Sequence, residues 1–409
     1  VLLLFFKAQT NNDSERPNMP SRKTGKSTGS KTANTGSVWR FAHPFFTPTP
    51  PAARPAIPQH GKQMLDHIQG TLHPIPAIKR NNGQWTLDEI IGKDGAAAIQ
   101  AAGKITIHLA GDTGVPETDH ETQQVLVADA MAKDYNANAP AQSPAFFFHL
   151  GDVIYGQSAG SYLDQFYRPY MHYPGKIIAI PGNHDGDVDS KMADFQNYFC
   201  ASSQTVPSVA NSILRQTMTQ PGVYWFLDAP FVQIIGLYSN AAENPGFISG
   251  TQIGQKQKDW LVATLKSVKS SRDAGTRKAL LMATHHPPFS AGGHSGSSEM
   301  LKDIDDACKQ AKVMPDAYFS GHAHSIQRYT RTVGAQKIPY IVSGCGGHGG
   351  QTVDTNVGTV QGDHKYEFGY KGWGYTKAVI TKNSLNITSY SVVGETVALI
   401  DTVPPVSIS

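Results

Sequence analysis

Ile105-Thr-Ile-His-Leu-Ala110 followed by Gly111-Asp112-Thr113-Gly114 is the stretch that decides how this chain folds. Five of the first six residues, all but His108, are apolar or β-branched, so the stretch reads as a short buried strand, and the Gly-Asp turn behind it ends it. The same arrangement recurs four times. Ala145–Leu150 precedes Gly151-Asp152-Val153-Ile154-Tyr155, Lys176–Ile180 precedes Gly182-Asn183-His184-Asp185, Ala279–Ala283 precedes His285-His286-Pro287-Pro288, and Ala317–Phe319 precedes Gly321-His322-Ala323-His324. Further strands are predicted at Val223–Leu227, Phe231–Leu237, Pro339–Val342, Tyr375–Ile380 and Leu385–Val392, and helices near 118–134, 190–199, 255–270 and 298–312. The first of these helices opens on the capping box Thr118-Asp-His-Glu121. Strands alternating with helices, then antiparallel-looking strands at the end, predict an α/β layered sandwich in one large domain.

Working outward, residues 61–103 read as short helices, with Thr86-Leu-Asp-Glu-Ile-Ile-Gly92 offering a cap, a short apolar face and a glycine stop before Ala96–Ala102. Between Phe41 and Pro58 six prolines interleave with aromatics and alanines, which favours an extended strap over packing. Residues 1–40 are rich in Ser, Thr, Asn, Gly and Lys and too poor in apolar side chains to offset the entropy of ordering, so a disordered basic tail is predicted. The division is therefore a tail at 1–40, a Pro-rich strap with short helices at 41–103, and the main domain at 104–403. Gly25-Lys26-Ser27 lies in the tail, but position 20 is Pro and no apolar strand precedes it, so the phosphate-binding P-loop pattern fails.

Composition narrows the function classes. The net charge is +3, but residues 1–40 carry seven Lys/Arg against two acids, so the basicity belongs to the tail and no nucleic-acid partner is predicted. No run approaches the roughly 18 apolar residues of a spanning helix, and Val1–Phe6 is too short for a signal-peptide core, so no membrane span, no export signal and a cytoplasmic location are expected. Cys200, Cys308 and Cys345 are odd in number and far apart, which indicates neither a disulfide framework nor a thiolate metal site. Sixteen histidines, by contrast, are a supply of imidazole ligands.

In open α/β sheets, ligands gather beyond the carboxyl ends of strands. Each cluster alone reads most simply as a turn or as isolated histidines. Five in this order, each at a strand end, bring Asp, Tyr, Asn and His together as oxygen and nitrogen donors for iron, zinc or manganese.

The run Asp, Gly-Asp, Gly-Asn-His-Asp, His, Gly-His-x-His over residues 111–324 resembles the calcineurin-like metallophosphoesterases. Many members open with Asp-x-His, where this chain has Gly114. Asp-x-Gly combined with Gly151-Asp-x-x-Tyr155 is similar to the purple acid phosphatases, in which that Tyr binds ferric iron. The resemblance implies an α-β-β-α sandwich of two mixed β-sheets flanked by helices. It also implies two metal sites, the first from Asp112, bridging Asp152, Tyr155 and His324, the second from Asp152, Asn183, His285 and His322. Two private anionic donors in the first suit Fe(III); neutral private ligands in the second suit Fe(II), Zn(II) or Mn(II). The implied activity is hydrolysis of a small phosphate monoester by a metal-bound hydroxide. His184 is expected to protonate the leaving oxygen, Asp185 to orient its imidazole, and His294 to contact substrate. His286 is expected just behind the ligands or facing solvent. A phosphodiesterase on the same fold, and a non-catalytic binding protein, are the alternatives. The oligomeric state is unknown.

Two weaker features complete the reading. Ser343-Gly-Cys345-Gly-Gly-His348-Gly-Gly reads as a glycine turn with positive φ angles rather than a phosphate cradle, with Cys345 a small buried residue. Lys371-Gly-Trp373-Gly-Tyr375 leads into an antiparallel pair that completes the second sheet.

Overall fold

A computed structural model describes residues 59–409 apart from 116–120, 157–158 and 187–190. The predicted tail, most of the strap and the head of the capping box lie outside the described residues.

In chain order the helices are α1 (Gln59–Thr71), α2 (Asp88–Ala102), α3 (Glu121–Ala132), α4 (Ala159–Tyr162), α5 (Ala193–Phe199), α6 (Lys256–Asp273) and α7 (Ser298–Ala311). The strands are β1 (Gln84–Thr86), β2 (Lys104–Ala110), β3 (Phe146–His149), β4 (Lys176–Ala179), β5 (Trp225–Ala229), β6 (Val232–Gly236), β7 (Ala279–Ala283) and β8 (Ala317–Ser320). They continue with β9 (Ile326–Val333), β10 (Gln336–Ser343), β11 (Val360–Gln361), β12 (His364–Tyr370), β13 (Gly374–Thr381), β14 (Ser384–Val393), β15 (Thr396–Thr402) and β16 (Val406–Ser407).

They form two mixed sheets, ordered β1-β5-β6-β7-β8-β10-β9-β12-β11 and β15-β14-β13-β2-β3-β4, with β16 paired to β14. In the second sheet β2, β3 and β4 run parallel, and in the first β6, β7, β8 and β10 do. Parallel strands are covered on both faces, which is why Phe146-Phe147-Phe148 and Ala279–Ala283 are continuous buried runs rather than alternating ones. Between the sheets lies an apolar core in which Trp225 meets Trp85 and Phe148 at ring separations of 5.6 and 5.1 Å. Helices α6 and α7 cover the outer face of the first sheet, and α2 and α3 that of the second. On α7 the buried side chains Met300, Leu301, Ile304, Ala307, Cys308 and Ala311 recur at three- and four-residue spacing, one apolar face of a helix. It stops at Lys312, which adopts the left-handed conformation.

Every predicted strand is present within three residues at its start. Gly92, the predicted stop, breaks α2 with a φ of 81°. Strands β1, β9, β11, β12, β15 and β16 are additional to the prediction. Among the described residues no helix is long and apolar enough to cross a membrane.

The topology decides where the polar clusters go. The carboxyl ends of β2, β3 and β4 in one sheet face the same cleft as those of β7 and β8 in the other. The sheets are tied there by the Gly111 N–H, which donates to the Ser343 carbonyl at 2.8 Å.

Candidate metal centre

Asp112, Asp152 and His322 each stand directly behind a parallel strand, and each holds a left-handed backbone, with φ of 56°, 55° and 67°. Non-glycine residues adopt this region at a cost of order 1–3 kcal/mol and keep it where the surroundings impose it. Here the turn aims each side chain into the cleft. One oxygen of each carboxylate is then fixed by the backbone: the His322 N–H donates to Asp112 Oδ2 at 2.7 Å, and the His184 N–H to Asp152 Oδ1 at 3.0 Å. Gly182 is required beside this contact, because a Cβ there would overlap the Asp152 carboxylate.

The remaining oxygens and the ring nitrogens gather in two linked groups. In the first, the Tyr155 hydroxyl lies 3.3 Å from Asp112 Oδ1 and 3.2 Å from His324 Nε2, which is itself 3.5 Å from Asp112 Oδ1. In the second, His285 Nε2 is 3.3 Å from Asp152 Oδ2 and 3.1 Å from Asn183 Oδ1, and donor atoms of Asp152, His285 and His322 all lie within 4.8 Å of one another. His285 Nε2 is also 3.9 Å from Asp112 Oδ1, which joins the groups. The seven residues expected as ligands thus converge on one cleft, Tyr155 and His324 around Asp112, and His285, Asn183 and His322 on the side of Asp152.

Hydrogen bonds behind the cluster set which atoms face it. His285 Nδ1 meets the Leu150 carbonyl at 2.8 Å and His324 Nδ1 the Gly349 carbonyl at 3.1 Å, so both rings turn Nε2 inward. Asn183 donates its amide nitrogen to Glu243 at 3.3 Å and turns its oxygen inward. Asp152 Oδ2 and His322 Nε2 are buried with no hydrogen-bond partner. Buried polar atoms are nearly always paired, so two orphans at the convergence of seven oxygen and nitrogen donors fit a bound cation.

The electrostatics point the same way. Burial opposes charge on His285, yet Asp152 and Asp112 push its ring up to about 9. The Tyr155 phenol is raised well above its ordinary value, first by burial and then by Asp152 and Asp112. A cluster that draws a proton onto one ring and refuses to ionise the phenol is short of positive charge, which a cation supplies.

Around the donors stands a ring of further histidines. His184 packs on Tyr155 at 4.5 Å between ring centroids, and His294 on His322 at 4.1 Å. His294 is held by Asn244 at 2.9 Å and Gln351 at 3.0 Å. His286 is fully buried, bonded to Ser239 and the Ala242 carbonyl at 2.8 and 2.7 Å, and packs behind His322 rather than facing solvent.

Asp185 departs from the expected role. Its oxygens accept backbone N–H groups of Gly182 at 2.8 Å, Val153 at 3.2 Å and Ile154 at 3.3 Å, because the turn His184–Gly186 folds the carboxyl inward under the Gly151–Tyr155 loop. Among the described residues Glu243 lies near the His184 ring, at 3.9 Å, and also 3.5 Å from His294. Sequence reading missed Glu243, Asn244, Gln351 and His348. His348 stacks on Tyr155 at 4.1 Å with its rings 10° from parallel. Its glycine-rich segment is corrected too: none of Gly344, Gly346, Gly347, Gly349 and Gly350 has a positive φ. Gly344 is needed for close approach, since a Cβ would come within 2.7 Å of Asp112 Oδ2.

With this geometry in place, the chain was compared with known proteins. The family model described as calcineurin-like phosphoesterase matches residues 105–325. Purple acid phosphatase 4 of Arabidopsis thaliana is 22% identical over 317 residues, spanning 73% of this chain and 84% of the relative. Among solved structures, GAP50, the anchor in the inner membrane complex of Plasmodium, superposes with a TM-score of 0.54 at 13% identity, over 75% of this chain and 89% of that one. Purple acid phosphatase PPD1 from yellow lupin (Lupinus luteus) seeds gives 0.52 at 15% identity, over 72% and 53%.

Proposed function

Because the chain belongs to the calcineurin-like phosphoesterase family, it is a metal-dependent phosphoester hydrolase, and we propose that it hydrolyses small phosphate monoesters at a binuclear centre. Asp112, Asp152, Tyr155 and His324 would hold one metal, and Asp152, Asn183, His285 and His322 the other. The observation that carries this reading is the pair of orphaned buried atoms, Asp152 Oδ2 and His322 Nε2, inside a complete donor set. An anchoring role of the kind named for GAP50 would leave those atoms without partners.

When bound, the two ions polarise the ester oxygens and lower the pKa of a water for attack on phosphorus. Tyr155 and Asp112 make the first site the more anionic, which favours Fe(III) there and Fe(II), Zn(II) or Mn(II) in the second. His184, about one-third exposed beside Tyr155, is the group proposed to hand a proton to the leaving oxygen. His294, fixed by Asn244 and Gln351, is proposed to hold a non-bridging phosphate oxygen. Asp185 acts through the backbone, tying the Gly182 turn to the Val153-Ile154 turn so that Asn183 and Asp152 keep their spacing.

Support for a monoester comes from the histidines at the cleft, which suit a dianionic head, and from the phosphatase named among the relatives. The test is hydrolysis of p-nitrophenyl phosphate against bis(p-nitrophenyl) phosphate by metal-loaded protein. Faster monoester cleavage is expected; a large diester preference overturns the reading.

A further inference from the structure

At the amino end of β4, opposite the end that leads to Asn183, lies a cavity of about 300 Å³. Phe166, Tyr173, Ile177, Tyr198, Phe199 and Met218 form its apolar walls. Leu214 and Met171 line it as well and are 85% and 48% exposed, so large apolar side chains stand at its mouth where water would otherwise favour polar ones.

Two cations line the same cavity, and among the described residues neither meets a carboxylate. Lys176 Nζ donates to the side-chain oxygens of Gln204 and Gln216, both at 2.9 Å, which leaves its third hydrogen and the Gln216 amide nitrogen unused. Arg215 donates to the carbonyls of Gly175 at 2.9 Å, Tyr170 at 2.7 Å and Tyr173, while its Nε is buried without a partner. Both side chains line the cavity, and burial, then repulsion from Arg215, lowers the Lys176 pKa. Both cations are held by neutral oxygens alone, and partly buried charges without a counter-ion attract an anion.

Two cations at the polar side, aromatic walls and an apolar lip fit one kind of molecule. We propose that this cavity binds a small aromatic carboxylate, its anionic head between Lys176 and Arg215 and its ring against Phe166, Tyr198 and Phe199. The site is independent of the monoesterase reading, since it shares no residue with the metal donors.

The test is calorimetric titration of metal-loaded protein with 3-phenylpropionate in saturating inorganic phosphate, which keeps the carboxylate off the metals. Saturable binding is expected, weakened about tenfold or more in Lys176→Met and in Leu214→Asp, and for the neutral analogue 3-phenylpropanol. Leu214 is exposed, so its replacement leaves the fold intact, and phosphoester hydrolysis stays unchanged in both variants. No binding, binding abolished by phosphate, binding insensitive to both substitutions, or equal binding of the alcohol would each overturn the proposal.

Discussion

Asp152 meets two demands with one carboxylate. Oδ1 accepts the His184 N–H and so fixes the Gly182-Asn183-His184 turn, while Oδ2 stays buried without a hydrogen bond, 3.3 Å from His285 Nε2. Asp152→Ala is therefore expected to release both metals and abolish hydrolysis, measured by metal analysis of the purified variant. His184→Ala should keep both metals and slow turnover by about 10²–10⁴, the usual contribution of a proton-transfer group. Steady-state rates alongside metal content separate these outcomes, and loss of metal in His184→Ala would remove it from the proton-donor role. How much of the site was legible follows from the same residues. The ligands were readable because each follows its strand within a few positions. Glu243 and Gln351 were not, because they reach His184 and His294 from loops about 60 residues distant in the chain, which no local spacing encodes.

At the scale of elements, the legible strands are those buried on both faces. Phe146–His149 and Ala279–Ala283 need no partner pattern to be recognised. Strand β9 was missed because it carries Arg328 and Arg331 among its apolar residues, and these are neutralised only by tertiary contacts. Arg328 pairs with Asp401 at 2.7 Å, and Arg331 with Asp305 at 2.7 Å and Asp363 at 2.8 Å. That network has a pH signature. Burial raises the Asp363 carboxyl, but His364 and Arg331 more than offset it and hold the group down at about 2. A folded pKa below the unfolded value of about 3.9 means stability present above pH 4 and lost as pH falls toward 2. Asp363→Asn should thus lower the melting temperature at pH 6, with the gap from the parent closing as pH drops through 4 to 2. A gap constant over that range, followed by circular dichroism, would show that the pair contributes nothing. Gly182→Ala, whose Cβ meets the Asp152 carboxylate, should destabilise by about 1–3 kcal/mol and lose activity, whereas the same change at the open Gly70 should leave activity intact.

For the molecule as a whole, two sheets bring their carboxyl ends to one cleft, and the sandwich follows the order of the sequence motifs. A fold built around buried like charges, Asp112 and Asp152, should depend on its metals for stability. Chelation is expected to lower the melting temperature reversibly, by a few kcal/mol of stabilisation at metal concentrations far above the dissociation constant. Whether the donors hold two ions, with iron against Tyr155, is tested most directly by metal analysis together with a visible spectrum of the oxidised protein. About two metal ions per chain are expected, with a tyrosinate-to-iron absorption band that disappears in Tyr155→Phe. Fewer than about one ion per chain after reconstitution, or a colourless, iron-free and fully active enzyme, would contradict it.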